Sequence, residues 1–544
     1  MRGLRWSLAP LLLCCIACGG SDDRPAGSGG AGNGGASTGG AASGGGAPVC
    51  ALGTSEPCYT GPEGTDGVGL CRAGTRSCAA DGWSACVDEV VPRPPNCATA
   101  EDEACTGQSA PCSGTTEAVH AYPVAAYEHD LQMGADAAGN VVWFSHYFGT
   151  DFPAANLGEV STRFVMSFDP SGQVRWSKSL GDHELQSCGR CLAVDPSGGV
   201  VFSATARFPV DLGNGVAIDA KGPYVAKLDA DGVAQWALQL GEMKAQEPDV
   251  GVDASGNITL SGTFYEAIDL GSGPLVPSTG VGAFLARLAP DGAPLWQKEV
   301  APGTGSASTV LATDAEGGFA VMLGVGPGAD LGAGALECAT ADWTTVIARY
   351  QPGGDLSWSR CLTINDDFPQ LSMATEPQGH VALAAGFDGQ LKVGNVTLSS
   401  NGYDAALVSF DAQGAVAWHK HFSQPDDAYP AGLVIDPVGH VTVVGTVVGT
   451  ADFGGGTTES IGADPLDYRD IWLAKHDADG SYLWSRRLGG GFRDAAFDVA
   501  ALPDGRLVLT GEVETGVAPA PDVGAGPISC EPLSACWFFS VHQP

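Results

Sequence analysis

A tryptophan returns at Trp176, Trp236, Trp296, Trp358, Trp418 and Trp484, at spacings of 60, 60, 62, 60 and 66 residues. A fixed period longer than a hairpin and shorter than a domain means stacked supersecondary units, none able to bury its apolar face alone. The surroundings of the tryptophan repeat as well. In Tyr224–Gly241 (YVAKLDADGVAQWALQLG) a short strand enters an Asp-x-x-Gly turn, and the strand that follows carries the tryptophan.

Each repeat also opens on a turn of its own: Asp136–Gly139, Asp195–Gly198, Asp253–Gly256, Asp314–Gly317, Glu376–Gly379 and Asp436–Gly439, with only Asp504-Gly505 kept in the last copy. Between the two turns stands an Asp-apolar-Gly landmark, as in Asp211-Leu212-Gly213, Asp269-Leu270-Gly271 and Asp330-Leu331-Gly332. Aspartate favours such turns by accepting bonds from its own backbone, and glycine supplies the positive φ. Elsewhere the period is two: Ile258 and Leu260 alternate with Thr259 and Ser261. Four short strands per repeat predict one blade of a β-propeller. A seventh copy, 492–544, has three strand signals, and Glu117–Ala126, which belongs to no repeat, is expected to supply its fourth strand and close the ring. The predicted fold is therefore all-β: a seven-bladed β-propeller of four-stranded blades over residues 117–544, preceded by a small disulfide-rich module. The run Gly256-Asn257-Ile258-Thr259-Leu260-Ser261-Gly262 resembles the repeat of seven-bladed propellers in bacterial surface lipoproteins. That resemblance implies the fold and leaves function open, because propellers host many unrelated activities.

The N-terminal part reads differently. Residues 1–17 have a basic start at Arg2 and Arg5 and an apolar stretch from Leu8 to Leu13, too short to span a bilayer, which is the form of a secretory signal. Cys15-Ile16-Ala17-Cys18-Gly19 resembles the lipobox of bacterial lipoproteins, with Cys15 where leucine is usual; the resemblance implies cleavage before Cys18 and lipidation of its thiol. The rest of residues 18–49 is a Gly/Ala/Ser-rich tether, of end-to-end distance roughly 30 Å. Residues 50–116 carry eight cysteines, Cys50, Cys58, Cys71, Cys78, Cys86, Cys97, Cys105 and Cys112. A segment with so little core needs covalent staples, and four disulfides are expected with their connectivity open. This run resembles the cysteine-rich modules of large bacterial surface lipoproteins, whose acidic motif is in part kept at Glu101, Asp102 and Glu103. Calcium there is the one cofactor left open, a solvated acidic loop being favoured because calcium needs six or more oxygens.

Acids outnumber bases 62 to 26, for a net charge of -36, which excludes binding to phosphate backbones and electrostatic docking on anionic lipid. Cys188 and Cys191, Cys338 and Cys361, and Cys530 and Cys536 are expected as disulfides within the propeller, as an oxidising compartment allows. The tryptophans are expected to fill the space between neighbouring blades rather than stack on a ligand. His419 and His421 share one strand face without a third ligand and read as a solvent-facing pair. No catalytic or metal residue is assigned: the sequence holds no Ser-His-Asp arrangement, phosphate loop or HExxH. The expected protein is a monomeric, non-enzymatic binding or interaction module, lipid-anchored outside the cytoplasm with outer-membrane sorting favoured, and its ligand is a protein or a glycan. A polysaccharide lyase or hydrolase working at the central channel, and an envelope scaffold, are the alternatives. The insertion Gly454–Asp470 is the first candidate contact loop.

Overall fold

The computed structural model describes residues 50–79, 82–93, 101–103, 105–107, 112–124, 131–147, 162–181, 189–241, 245–302, 306–338, 343–364, 370–423, 427–459, 461, 469–516, 518–530 and 535–544. The expected signal, the expected lipidation site Cys18, the expected tether, Cys97, Cys188 and most of the second half of the 454–470 insertion lie outside them. The chain divides into two compact units, Met1–Thr54 with Ser77–Ser84, and Ser55–Arg76 with Ala85–Pro544. In the smaller, Cys50 is bonded to Cys78, and Cys78 pairs with Trp83 across an antiparallel ladder. In the larger, Cys58–Cys86 and Cys71–Cys105 staple the N-terminal stretch. Cys338–Cys361 and Cys530–Cys536 are bonded further along, and Cys112 and Cys191 are also in disulfides.

The fold is all-β and β-propeller-like, with no helix among the described residues. Among the described residues, seven antiparallel sheets of four or more strands follow one another. The third shows the plan, with Asp249–Val252, Ile258–Phe264, Gly282–Leu288 and Pro294–Val300 paired in sequence order. Its leading strand and those of the other sheets, Gln132–Ala135, Leu192–Val194, Ser306–Thr313, Gln370–Thr375, Ala428–Ile435 and Asp494–Ala501, are successive neighbours, and the last of them neighbours the first. The seventh sheet is completed from the other end of the chain: Thr116–Val124 pairs antiparallel with Ala535–His542. The fourth sheet is extended, since the hairpin Gln390–Val393 and Val396–Ser399 of the fifth repeat pairs onto its last strand, Leu356–Ile364.

The cores lie between sheets. Seven buried apolar clusters each join one sheet to the next; that between seventh and first contains Trp143, Phe164, Phe168, Trp537 and Phe539. This explains why the second strands are buried almost throughout, as at every position of Ile258–Phe264: one face meets the preceding sheet and the other the following one.

The periodic tryptophans join the sheets. Trp176 Nε1–H donates to Ala230 O at 2.9 Å, Trp236 to Pro290 O at 3.1 Å, Trp296 to Pro352 O at 3.0 Å and Trp418 to Ala478 O at 2.8 Å. Each acceptor lies in the Asp-x-x-Gly-type turn of the next sheet, and the turn's glycine faces the ring. A Cβ on Gly232 would stand 2.5 Å from the Trp176 ring. Trp358 packs in the same way on Gly414, but its N–H has no hydrogen-bond partner. The third and fourth strands of the seventh sheet are not joined by such a turn, and residues flanking each take its place: Trp484 donates to Pro544 O at 3.1 Å, and its ring covers Gly114. In the seventh sheet His120 takes the tryptophan's place against Gly172 and hydrogen-bonds the Pro170 backbone, while Tyr122 Oη–H donates to Gly172 O at 2.5 Å.

Two glycines of matched conformation separate backbone strain from ring contact. Gly215 (φ 77°) has no atom within 4 Å of an added Cβ, whereas Gly232 (φ 76°) has the Trp176 ring. Gly215→Ala should cost about 1 kcal/mol, and Gly232→Ala about 3 kcal/mol or more. Equal losses in chemical denaturation would remove the clasp from the energetics.

His542, buried in the seventh sheet, meets Ser540 Oγ at 2.7 Å and Gly114 O at 3.3 Å, and burial lowers its pKa to about 4. The fold therefore favours the neutral ring; the stability this contributes is complete above about pH 6.5 and is lost as pH falls toward 4. Between pH 7 and 5 the protein should lose about 2 kcal/mol more than its His542→Gln variant, as read from denaturation midpoints at the two pH values.

Candidate functional site

The leading strands surround a cavity of about 530 Å³. Its wall is mainly small or aliphatic, with Met133, Leu192, Val252, Ala312, Met373 and Val499 among its residues. At one end lie the opening turns of the repeats, including Asp314, Glu376 and Asp436. Arg190, just before the second sheet, also lines it.

The turn carboxylates are committed locally. Asp253 Oδ1 accepts the N–H groups of Ser255 at 2.9 Å and Asn257 at 2.8 Å, the two-residue and four-residue reach that makes Asp-x-x-Gly a turn. The second oxygen takes a cation from the third strand of the same sheet: Lys227 for Asp195 at 3.8 Å, Arg287 for Asp253, Arg349 for Asp314 and Lys475 for Asp436 at 2.9 Å. Burial pushes the Asp436 carboxyl up, but His440 and Lys475 outweigh it and hold its pKa below the ordinary value. Two sheets depart from this: Ser167 in the first and Ser409 in the fifth stand where the second, third, fourth and sixth have Lys or Arg, and in the fifth Glu376 pairs with His380 at 2.5 Å. Burial raises Glu376, and the neighbouring Asp436 and Asp314 charges add to it against the pull of His380.

Polar groups meet a second time around Arg190, which lines the cavity, at Asp249 and Asp498, which lie behind the lining residues. Asp249 Oδ1, on the third leading strand, accepts the Arg190 N–H at 2.9 Å, and the Gly189 N–H adds a second bond. Burial raises the Asp249 pKa to about 7, more than these N–H groups and the Arg190 charge lower it. On the seventh leading strand a bulge between Ala496 and Asp498 interrupts the alternation. There Asp498 accepts Met133 N–H at 3.2 Å and Val499 N–H at 2.8 Å, and lies 3.7 Å from the Arg190 guanidinium. Burial raises Asp498 as well. Carboxylates from the third and seventh sheets thus converge on one arginine from the second.

The residues singled out in the sequence sit elsewhere. Asp102 accepts Thr106 N–H at 3.0 Å and Gly107 N–H at 2.7 Å, so it closes a turn, and among the described residues no group of three or more His, Cys, Asp or Glu is placed to hold a metal ion. His419 is exposed, but His421 is not the solvent-facing partner expected: its Nε2 meets Asp404 at 2.8 Å and its ring lies against Phe387. Cys191 is buried, with Sγ 3.5 Å from Glu247, which in turn pairs with Arg163 at 2.6 Å. Of the insertion, Asp470 is buried and accepts from Arg487 Nε at 2.7 Å and Ile461 N–H at 3.1 Å. Arg190 and Asp498 were missed. The signals available were a charge inside the Cys-x-x-Cys segment and an acid inside the apolar run Ala495–Ala501.

No family model matches the chain, and no curated protein matches it. Among solved structures, a calcium-binding protein, regucalcin, from Agrobacterium tumefaciens is 14% identical over 67% of this chain and 93% of its own, with a TM-score of 0.28. An ulvan lyase of a new polysaccharide lyase family is 11% identical over 66% and 80%, with a TM-score of 0.35. A protein of unknown function from Dyadobacter fermentans is 12% identical over 66% and 96%, with a TM-score of 0.33. The first two are β-propeller-like proteins. Likeness this slight says nothing of what the chain binds or does.

The ion pairs at the turn end carry a stability test. Lys475 and Asp436 are both buried, so Lys475→Met leaves a carboxylate without its cation. Chemical denaturation should show a loss of about 3 kcal/mol or more, and Lys475→Arg should recover part of it.

Proposed function

We propose that the chain is a lipid-anchored, extracytoplasmic protein whose seven sheets are the blades of a propeller closed by Thr116–Val124. Its central cavity holds a ligand that it does not transform. The observation that carries this reading is the cavity of about 530 Å³, walled by small and aliphatic side chains, with acids of the turns at one end and Arg190 in its wall. Its volume is that of a small-molecule site, and few convergent polar groups in an apolar lining are the usual composition of one. The disulfides fit an oxidising compartment. Anchoring rests on Cys18 and the tether that follows it.

Binding is favoured over catalysis because both carboxylates around Arg190 accept backbone N–H bonds, which fixes them as parts of the wall. One observation favours the second reading, a lyase or hydrolase acting on polysaccharide. A buried carboxyl raised to about 7 beside an arginine is the kind of group that serves as a general acid or base.

Two measurements test these statements. Cys18→Ser should move the protein from the membrane pellet to the soluble fraction; an unchanged distribution removes the anchor. Full-length protein incubated with envelope extract should yield, on denaturation, a bound molecule identical in mass to one in the extract. Recovery of a shortened or unsaturated glycan instead would establish the enzymatic reading.

A further inference from the structure

We infer that the central cavity takes a small organic carboxylate with an apolar body, its carboxylate seated on the Arg190 guanidinium. This rests on the reading of the cavity as the binding site and names the class of its ligand.

The choice of charge follows from which groups still have bonds to give. Asp249 is occupied by the N–H groups of Arg190 and Gly189, and Asp498 by those of Met133 and Val499. Four backbone donors therefore turn both carboxylates toward the wall. A guanidinium has five N–H donors and no acceptor. That of Arg190 has one ion pair among the described residues, with Asp498 at 3.7 Å, which is outside hydrogen-bonding distance, and its side chain remains 36% exposed. An arginine with unused donors beside aliphatic cavity wall is poised for a planar anion, and its fork matches a carboxylate in two parallel bonds.

The wall selects the rest of the ligand. Met133, Leu192, Val252, Ala312, Met373 and Val499 offer aliphatic surface, so an apolar body gains from burial where a strongly hydrated one does not. The net charge of -36 opposes any anion at long range, but that field is screened by salt. Nearer the site, Asp314 and Asp436 carry their own cations in Arg349 and Lys475. Burial also raises Asp498 and Asp249, which lessens the negative charge facing an incoming carboxylate.

The test is calorimetric titration of full-length protein in detergent with hexanoate, hexanol and hexylammonium. Hexanoate should bind at least about tenfold more tightly than hexanol, the gain expected of hydrogen bonds to a charged group. Arg190→Gln should abolish that preference, and Arg190→Lys should retain part of it. The comparison of probes on the unaltered protein decides the matter even if Arg190→Gln fails to fold. Equal binding of hexanoate and hexanol, a preference for hexylammonium, or a hexanoate preference that survives Arg190→Gln would each overturn the carboxylate and leave the cavity as a site. Failure of all three probes, with no molecule recovered from envelope extract, would overturn both.

Discussion

The structure depends on a clasp between an indole and a glycine. Each sheet alone is an open-edged layer with two apolar faces, and seven such layers need a device that fixes their spacing and angle. The indole supplies both: its N–H reaches a turn carbonyl of the next sheet, and its face lies on a glycine whose missing Cβ makes the approach feasible. Hydrophobic burial between sheets supplies most of the driving force but is not directional. The hydrogen bond is. Beside the seventh sheet, whose outer strands come from distant parts of the chain, Trp484, Pro544 and Gly114 reproduce the clasp without a continuous turn, and His120 with Tyr122 reproduces it once more against Gly172.

That clasp is also why so much of the fold was legible. A contact that every sheet must make imposes its residues at every repeat, so the tryptophan period, the turn aspartates and the positive-φ glycines stand out in one sequence without an alignment. The Asp-apolar-Gly landmark is of the same kind: Asp211 Oδ1 accepts Gly213 N–H at 2.8 Å, while Leu212 between them is buried. What was not legible arose from contacts made once. The hairpin Gln390–Ser399 adds to the preceding sheet through only three residue pairs, Leu362↔Val393, Thr363↔Lys392 and Ile364↔Leu391. His421 finds Asp404 on the neighbouring strand of its own sheet, 17 residues earlier, and nothing in the alternation of its strand announces that.

The candidate site belongs to this second group for a physical reason. Near-identical units arranged about one axis present the same side chain many times to the same place, and a ring of like residues has no direction and little selectivity. At the turn end such a ring exists, and four of its members cancel in pairs: Asp195 with Lys227, Asp253 with Arg287, Asp314 with Arg349, Asp436 with Lys475. Those pairs, three of them buried on both sides, hold the sheets and leave little charge for a ligand.

A selective site requires the repeat to be broken, and the breaks are where the chemistry collects. Met133, at the position corresponding to Arg190 plus two, keeps the apolar rule of the wall, while Asp498 escapes it through a bulge that puts two residues opposite one. The bulge frees the acid from the alternation that would otherwise bury it among apolar side chains, and the Met133 N–H and the Arg190 guanidinium receive it there. Ser409 breaks the pairing at the turn end by withdrawing a cation, so that Glu376 turns to the half-exposed His380, whereas Asp436 has both His440 and Lys475. In a fold whose stability comes from sameness, a cavity wall can acquire a preferred ligand only through residues that differ from their counterparts. Arg190 and Asp498 are the two such residues that face each other.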